Sequence, residues 1–335
     1  MGKIKVAING FGRIGRMTAR ILLDKKNIEL VAVNDLADSK TLAHLFKYDS
    51  IHKTFKGKVT GENNHMNIDG IIVQVFAEKD PAKLPWKKLD VDVVLECTGK
   101  FADAKGAGLH LDAGARKVIL SAPSHEKDGV KTYVIGVNDH LLQDDEKIIS
   151  NASCTTNNAA PMLKILDENW GVELAFVTTV HSYTGDQHLQ DGPHRDLRRA
   201  RAAAVSIIPT TTGAAKALND VLPNLKGKIG GAGVRVPVPD GSLTDITCTL
   251  IKPATVEEIN AVFKKASETS LKNILEYTED PIVSIDIVDN PHSCIFDSQL
   301  TSVLGKMVKV VGWYDNEIGY SHRLAELAER IGSRL

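Results

Sequence analysis

Apolar positions along this chain switch between two periods, and the switching predicts its architecture. Lys3-Ile4-Lys5-Val6-Ala7-Ile8-Asn9 reads as a buried strand. Ile14, Met17, Ile21 and Leu22 then fall on one helical face, and Glu29–Asn34 returns to a strand pattern. Strand-like runs recur at Val91–Thr98, Lys117–Ser121, Tyr133–Val137 and Lys147–Ser150. Apolar strands alternating with helical segments predict a doubly wound parallel sheet. Beyond it, Ala159–Trp170 reads as a helix ending at Gly171, and Glu173–Val180 as a strand. Further strands are expected at Leu243–Lys252, Ile282–Val288 and Met307–Tyr314. A helix is expected from Thr255, where Thr255 and Glu258 have capping-box spacing. An amphipathic helix from about residue 318 to 331 closes the chain. The second half therefore predicts an α+β domain with a largely antiparallel sheet, and the whole chain an α/β protein.

The first strand runs into Gly10-Phe11-Gly12-Arg13-Ile14-Gly15, and the second ends at Asp35. Gly10 permits a tight turn, Gly12 lets the backbone approach a pyrophosphate, and Gly15 lets helix and strand pack closely. The helix N-terminus faces the phosphates. Asp35, about 20 residues beyond Gly15, can accept hydrogen bonds from ribose hydroxyls. A lone glycine-rich turn is a weak signal, but strand, turn, helix, strand and acid follow here in order. The carboxylate repels a 2′-phosphate, so NAD is expected rather than NADP. Ligands of such a sheet lie at the carboxyl ends of its strands, where Ser121 and Cys154 both stand.

Cys154 lies in Ser150-Asn151-Ala152-Ser153-Cys154-Thr155-Thr156-Asn157, at a strand-to-helix junction. Unpaired N–H groups and positive potential at a helix start favour a thiolate, which is the nucleophile. Pro161 lies either in the first turn of that helix or at a kink. Cys97 and Cys248 sit in apolar runs and read as buried, inert thiols; Cys294 is undecided. The strand before His181 ends beside this segment, so His181 is the candidate general base. Of eleven histidines most serve packing or surface, and only its placement sets His181 apart. The run from Asp191 to Arg201 carries Arg195, Arg198, Arg199 and Arg201. It is either a solvated basic stretch or a site for an anionic small substrate. Thr210-Thr211-Thr212-Gly213 before a helix start reads as a second phosphate cradle, or as a plain helix cap.

Composition narrows the classes. The chain has 335 residues, 43% hydrophobic and 25% charged, with a net charge of −1. These are globular values, with no electrostatic reason to expect nucleic acid or a membrane surface as partner. Four cysteines without a CxxC pair argue against a disulfide scaffold or a zinc site and suit a reducing, cytoplasmic setting. The first residues read as a strand rather than a signal peptide, and no apolar run is long enough to span a bilayer.

The chain closely resembles the phosphorylating glyceraldehyde-3-phosphate dehydrogenases along its length. The resemblance rests on NGFGRIGR at 9–16, VND at 33–35, ASCTTN at 152–157, TTVHSYTGDQ at 178–187, DLRRARAAA at 196–204, IIPTTTGAAKA at 207–217, RVPVPDGSLTD at 235–245 and WYDNEIGY at 313–320. It implies an NAD-binding domain of 1–153 with 317–335 and a catalytic domain of 154–316. It also implies that Cys154 attacks glyceraldehyde 3-phosphate, His181 takes the proton, and inorganic phosphate cleaves the resulting thioester to 1,3-bisphosphoglycerate. By the same resemblance Thr184, Arg199 and Arg235 hold the substrate phosphate, with Arg199 chosen over Arg198 by alignment alone. Ser153, Thr155, Thr212 and Gly213 line the site of the attacking phosphate. Gly10, Gly12, Arg13, Ile14, Gly15, Asp35, Lys79, Ser121 and Asn316 match cofactor positions. A homotetramer is implied, with 182–206 at a subunit contact.

Two positions depart from the family pattern. Asn158 stands where many members carry a second cysteine, so an intramolecular disulfide with Cys154 is not expected. Gly192 precedes Pro193 where many bacterial relatives have a bulkier residue, which weakens the expectation of strict NAD selectivity. The nearest rival is erythrose-4-phosphate dehydrogenase, which releases its product to water and has no use for the cradle at 210–213. A different class is an NAD-responsive binding role, for which Cys154, His181, Arg199 and Arg235 would be superfluous.

Overall fold

The computed structural model describes residues 2–124 and 129–335. The first elements are β1 (Ile4–Asn9), α1 (Arg13–Leu23), β2 (Ile28–Asn34), α2 (Ser39–Lys47), β3 (Val59–Glu62), β4 (His65–Ile68), β5 (Ile71–Phe76) and β6 (Val93–Glu96). There follow α3 (Ala104–Asp112), β7 (Lys117–Leu120), β8 (Lys131–Thr132), β9 (Ile148–Ser150), α4 (Cys154–Trp170), β10 (Val172–Ser182), β11 (Ile208–Thr210) and α5 (Ala214–Val221). The last are β12 (Ile229–Val236), β13 (Ser242–Leu250), α6 (Val256–Glu268), β14 (Leu275–Thr278), β15 (Cys294–Asp297), β16 (Ser302–Leu304), β17 (Met307–Tyr314) and α7 (Ile318–Gly332). The chain divides into two compact units. One runs to Tyr133 and adds Leu141–Ala152 and Ser321–Leu335; the other is Val134–His140 with Ser153–Tyr320.

The first unit holds a nine-stranded sheet in the order β3-β4-β5-β2-β1-β6-β7-β9-β8. From β5 to β8 every pairing is parallel, and β3 and β4 form an antiparallel edge. All residues of β6 and β7 are buried, because helices cover both faces of a parallel sheet. Val6, Ala7 and Ile8 of β1 are fully buried, and side chains of the size of Val6 and Ile8 each contribute about 1.5–3 kcal/mol. On α1 the buried stripe is Gly15, Met17, Thr18, Ala19 and Leu22, with Ile14 and Ile21 only half-buried. The end of α7 packs on this unit: Lys25 Nζ meets Glu329 at 2.5 Å, and Arg334 donates to Leu142 O at 2.9 Å.

The second unit is built on an eight-stranded sheet ordered β11-β12-β10-β13-β17-β15-β14, with β16 on β17. Only β10–β12 and β14–β15 pair in parallel. Met162, Leu163 and Leu166 of α4 are buried, whereas Leu174 and Phe176 of β10 are half or more exposed. The capping box of α6 is complete, with Thr255 Oγ1 accepting from Glu258 N and Glu258 Oε2 from Thr255 N.

Two expected strands are not strands. Residues 133–137 form a turn, closed by Val137 N to Val134 O and by Asn138 Oδ1 accepting from Val134 N, with Gly136 at φ +83°. Residues 282–288 also fold into turns, where Asp286 Oδ2 accepts from Val283 N and leaves Val283 and Ile285 exposed. In both segments a side-chain carbonyl or carboxylate captures a backbone N–H that a strand would have given to its neighbour. The strand expected over 91–98 is shorter, at Val93–Glu96.

Candidate active site

Cys154 is the first residue of α4, which begins five residues before the apolar segment expected from Ala159. Ser153 caps the helix, accepting from Thr156 N at 3.1 Å. Pro161 lies inside α4 rather than in its first turn, and Gly171 ends the helix at φ +72°. The Cys154 Sγ stands 3.5 Å from His181 Nε2. His181 is the penultimate residue of β10, and the parallel register of β10 with β12 sets Arg235 beside it.

Two groups compete for His181 Nδ1. Ser182 O lies 2.7 Å from it and Arg235 Nη1 2.6 Å, while Arg235 Nη1 also donates to Ser182 O at 2.9 Å. With the proton on Nδ1, Ser182 O accepts it and Nε2 turns a lone pair towards the thiol, the tautomer a general base requires. Burial, with the Arg235 charge second, pulls His181 down to about 3, so the imidazole is neutral across the physiological range. Burial also pushes the Cys154 thiol up, against Arg235 and the Thr155 hydrogen bonds. The N–H groups of the helix start do pull the thiol down, as expected, but desolvation outweighs them in the resting site, and His181 is the base placed to take the proton.

Sequence reasoning does not single out Tyr314, although it lies in WYDNEIGY. Its buried hydroxyl bridges Thr155 Oγ1 and Thr179 Oγ1, both at 2.9 Å, and its ring meets His181 edge-on at 6.0 Å. Ser182 and Ser242, also unpredicted, both donate to Asn316 Oδ1, at 2.8 and 2.7 Å. Arg199 Nε donates to Thr210 Oγ1 at 3.0 Å and Nη1 to Asp186 at 2.6 Å. It is half-buried where Arg198 is exposed. Its charge acts on both His181 and Arg235. Thr212 Oγ1 accepts from Ala214 N, and Gly213 opens α5 with no atom within 4 Å of where a Cβ would stand. Thr184 is half-buried in the turn closed by Gln187 N to Thr184 O.

In the first unit the glycines have the expected constraints. Gly10 has φ +92°, and a Cβ there would meet Thr98 N at 2.7 Å; a Cβ on Gly15 would meet Gly10 O at 2.2 Å. Gly12 caps α1 and is open, so backbone there can approach a ligand. Asp35 Oδ2 accepts from Phe11 N at 2.8 Å, tying the acid to the glycine turn. Arg13 opens α1 and pairs with Asp49, whose carboxyl is held down at about 2 despite its burial. Ile14 is half-buried, Lys79 is exposed after β5, and Ser121 follows β7 with its N–H on Glu96 O at 2.9 Å. This glycine cradle and its acid fit a dinucleotide. Asn316 belongs to the other unit.

Residues 4–104 match the family described as glyceraldehyde 3-phosphate dehydrogenase, NAD binding domain, and residues 153–316 match its C-terminal domain. The chain belongs to the glyceraldehyde-3-phosphate dehydrogenase family. Among similar proteins, the glyceraldehyde-3-phosphate dehydrogenase of Thermotoga maritima is 57% identical over 98% of each chain. That of Mycobacterium avium is 54% identical over 99% of each chain, and that of Borreliella burgdorferi is 54% identical over 98% of this chain and 99% of its own. As a glyceraldehyde-3-phosphate dehydrogenase family member the chain is an NAD-dependent oxidoreductase, and its first unit contains the family's NAD-binding domain. No helix among the described residues is long and apolar enough to cross a membrane.

Proposed function

We propose that this chain oxidises glyceraldehyde 3-phosphate, with NAD and inorganic phosphate, to 1,3-bisphosphoglycerate. The observation that carries the reading is the Cys154 Sγ to His181 Nε2 approach of 3.5 Å at the start of α4. His181 Nε2 takes the thiol proton, the sulfur adds to the aldehyde carbon, and His181 returns that proton to the new oxyanion, giving a hemithioacetal on Cys154. His181 then accepts the hemithioacetal hydroxyl proton as the carbonyl re-forms. NAD, when bound, accepts the hydride. The thioester left on Cys154 is cleaved by inorganic phosphate, which restores the thiol.

Thr184, Arg199 and Arg235 are assigned to the substrate phosphate, and Ser153, Thr155, Thr212 and Gly213 to the attacking phosphate. Guanidinium forks and N–H groups at helix starts both match phosphate oxygens. Gly10, Gly12, Arg13, Ile14, Gly15, Asp35, Lys79, Ser121 and Asn316 are assigned to the cofactor. The domains are assigned as 1–153 with 317–335, and 154–316; the compact units differ from these bounds at 134–140, at Ser153 and at 317–320. The exposed face of β10 supports assembly as a homotetramer, and the four free cysteines suit the cytoplasm.

The test is NADH formation from glyceraldehyde 3-phosphate and NAD, with and without inorganic phosphate, beside Cys154→Ala. Phosphate-dependent turnover lost in the variant is the expected result. Turnover indifferent to phosphate would assign the hydrolytic erythrose-4-phosphate type of chemistry instead, and no turnover would refute both.

A further inference from the structure

Beneath the glycine turn lies a row of buried polar residues that none of the assigned site positions includes. The last residues of β2, β1 and β6 stand side by side in register, Asn34 opposite Asn9 and Asn9 opposite Glu96. Asn9 and Glu96 are 1% and 2% exposed, and His110 and Trp86 beyond them are fully buried.

The sense of every hydrogen bond in this row is imposed from its two ends. At one end Asn34 clasps the main chain of Glu78: Nδ2 donates to Glu78 O and Oδ1 accepts from Glu78 N, both at 2.9 Å. That orients the amide, and Nδ2 also donates to Asn9 Oδ1 at 2.7 Å. Asn9 is left to donate through Nδ2 to Glu96 Oε2 at 2.5 Å. At the other end Trp86 Nε1, which can only donate, meets His110 Nδ1 at 2.9 Å. His110 Nδ1 is therefore the acceptor, and Nε2 carries the proton and donates to the same Glu96 Oε2 at 3.0 Å. On the other oxygen, Oε1 accepts from Thr98 N at 2.8 Å and from Thr98 Oγ1. Donors arrive from both ends and from Thr98, so the middle position must only accept. A carboxylate does so; an amide cannot.

Three members of the row, Asn9, Asn34 and Glu96, adjoin or hold a segment next to one assigned to the cofactor. Asn9 precedes Gly10, Asn34 precedes Asp35, and Glu78, held by Asn34, precedes Lys79. Glu96 holds Thr98, whose backbone lies so close to Gly10 that a Cβ there would meet Thr98 N at 2.7 Å. We propose that Glu96 is a positioning residue for NAD: through the row Asn34, Asn9, Glu96 and His110 its carboxylate sets the placement of the Gly10 turn, the Asp35 loop and the Lys79 loop relative to one another.

The experiment compares the full-length protein, Glu96→Gln and Glu96→Gln/Trp86→Phe by calorimetric titration with NAD, thermal unfolding and steady-state kinetics. In Glu96→Gln the new amide donors face Asn9 Nδ2 and His110 Nε2. Neither can reverse, because Glu78 and Trp86 fix the ends. NAD binding is expected to weaken by about tenfold or more, the scale of unpaired buried donors. Turnover at saturating NAD should stay within about twofold, and KM for the aldehyde should not change. Removing the indole donor lets His110 move its proton to Nδ1 and accept from the introduced amide, while Asn9 stays fixed by Asn34 and Glu78, so the double variant should recover part of the NAD affinity. It should do so even though it loses core packing at Trp86. A purely structural role would lower the unfolding temperature in both variants and give no recovery. Unchanged NAD affinity in a folded Glu96→Gln, or a double variant that binds no better than the single, overturns the proposal. Should the single variant fail to fold, the double variant must fold and bind NAD for the proposal to stand.

Discussion

The burial of His181 makes the protein sensitive to acid by an amount the structure sets. Its pKa is about 3 when folded, against 6.5 for the free side chain, because burial and then Arg235 disfavour the charged ring. A group whose folded pKa is depressed contributes no penalty above its unfolded value, and stability falls as pH drops from about 6.5 towards about 3. At about pH 5 the unfolded chain carries nearly a full proton at this site and the folded chain almost none. The loss relative to about pH 7.5 is then about 2 kcal/mol, levelling near 5 kcal/mol below pH 3. Urea unfolding of the parent and His181→Gln at both pH values, followed by tryptophan fluorescence, isolates this contribution, since other acid-sensitive groups cancel between the two proteins. The parent should lose about 2 kcal/mol more than the variant on acidification. Equal losses, within about 0.5 kcal/mol, would refute the claim that the folded site holds His181 neutral.

Three further outcomes follow from the site. Arg235 is the largest influence opposing the burial of the Cys154 thiol, so Arg235→Gln should slow iodoacetamide labelling of Cys154 near pH 7 by about three- to tenfold; faster labelling would contradict this. Tyr314→Phe leaves two buried threonine hydroxyls without their shared partner and should destabilise the protein by about 1–3 kcal/mol, read from the urea midpoint, with no change expected if the bridge is incidental. Peroxide should drive Cys154 to higher oxides, or to a mixed disulfide when a small thiol such as glutathione is added with it. Burial lifts Cys97 and Cys248 to about 12 and Cys294 higher still, so they are poor partners; an intrachain disulfide at Cys154 in peptide mass spectra would overturn this.

Asn158 illustrates how a local departure acquires meaning only in three dimensions. By sequence it is a missing cysteine. In the fold it is fully buried and donates to Trp313 O at 3.1 Å and to Ser293 O at 3.3 Å, which fastens the Cys154 helix to β17. The two failed strands have a similar origin. Their apolar alternation is legible, but Asn138 and Asp286 divert the backbone N–H groups into turns, and nothing in the period of the side chains announces that capture.

Short-range pattern alone determined the parallel sheet, the glycine turn with Asp35, the nucleophile at a helix start and a histidine near a strand end. Each of these is set by neighbours within a few residues or by one hydrophobic period. Tertiary structure decided that β12 lays Arg235 beside His181, that Tyr314 bridges α4 and β10, that desolvation outweighs the helix start at Cys154, and that Glu96 must be a pure acceptor. Those depend on register between distant segments and on exclusion of water, which arise only when the strands have paired and the polar groups have lost their solvent.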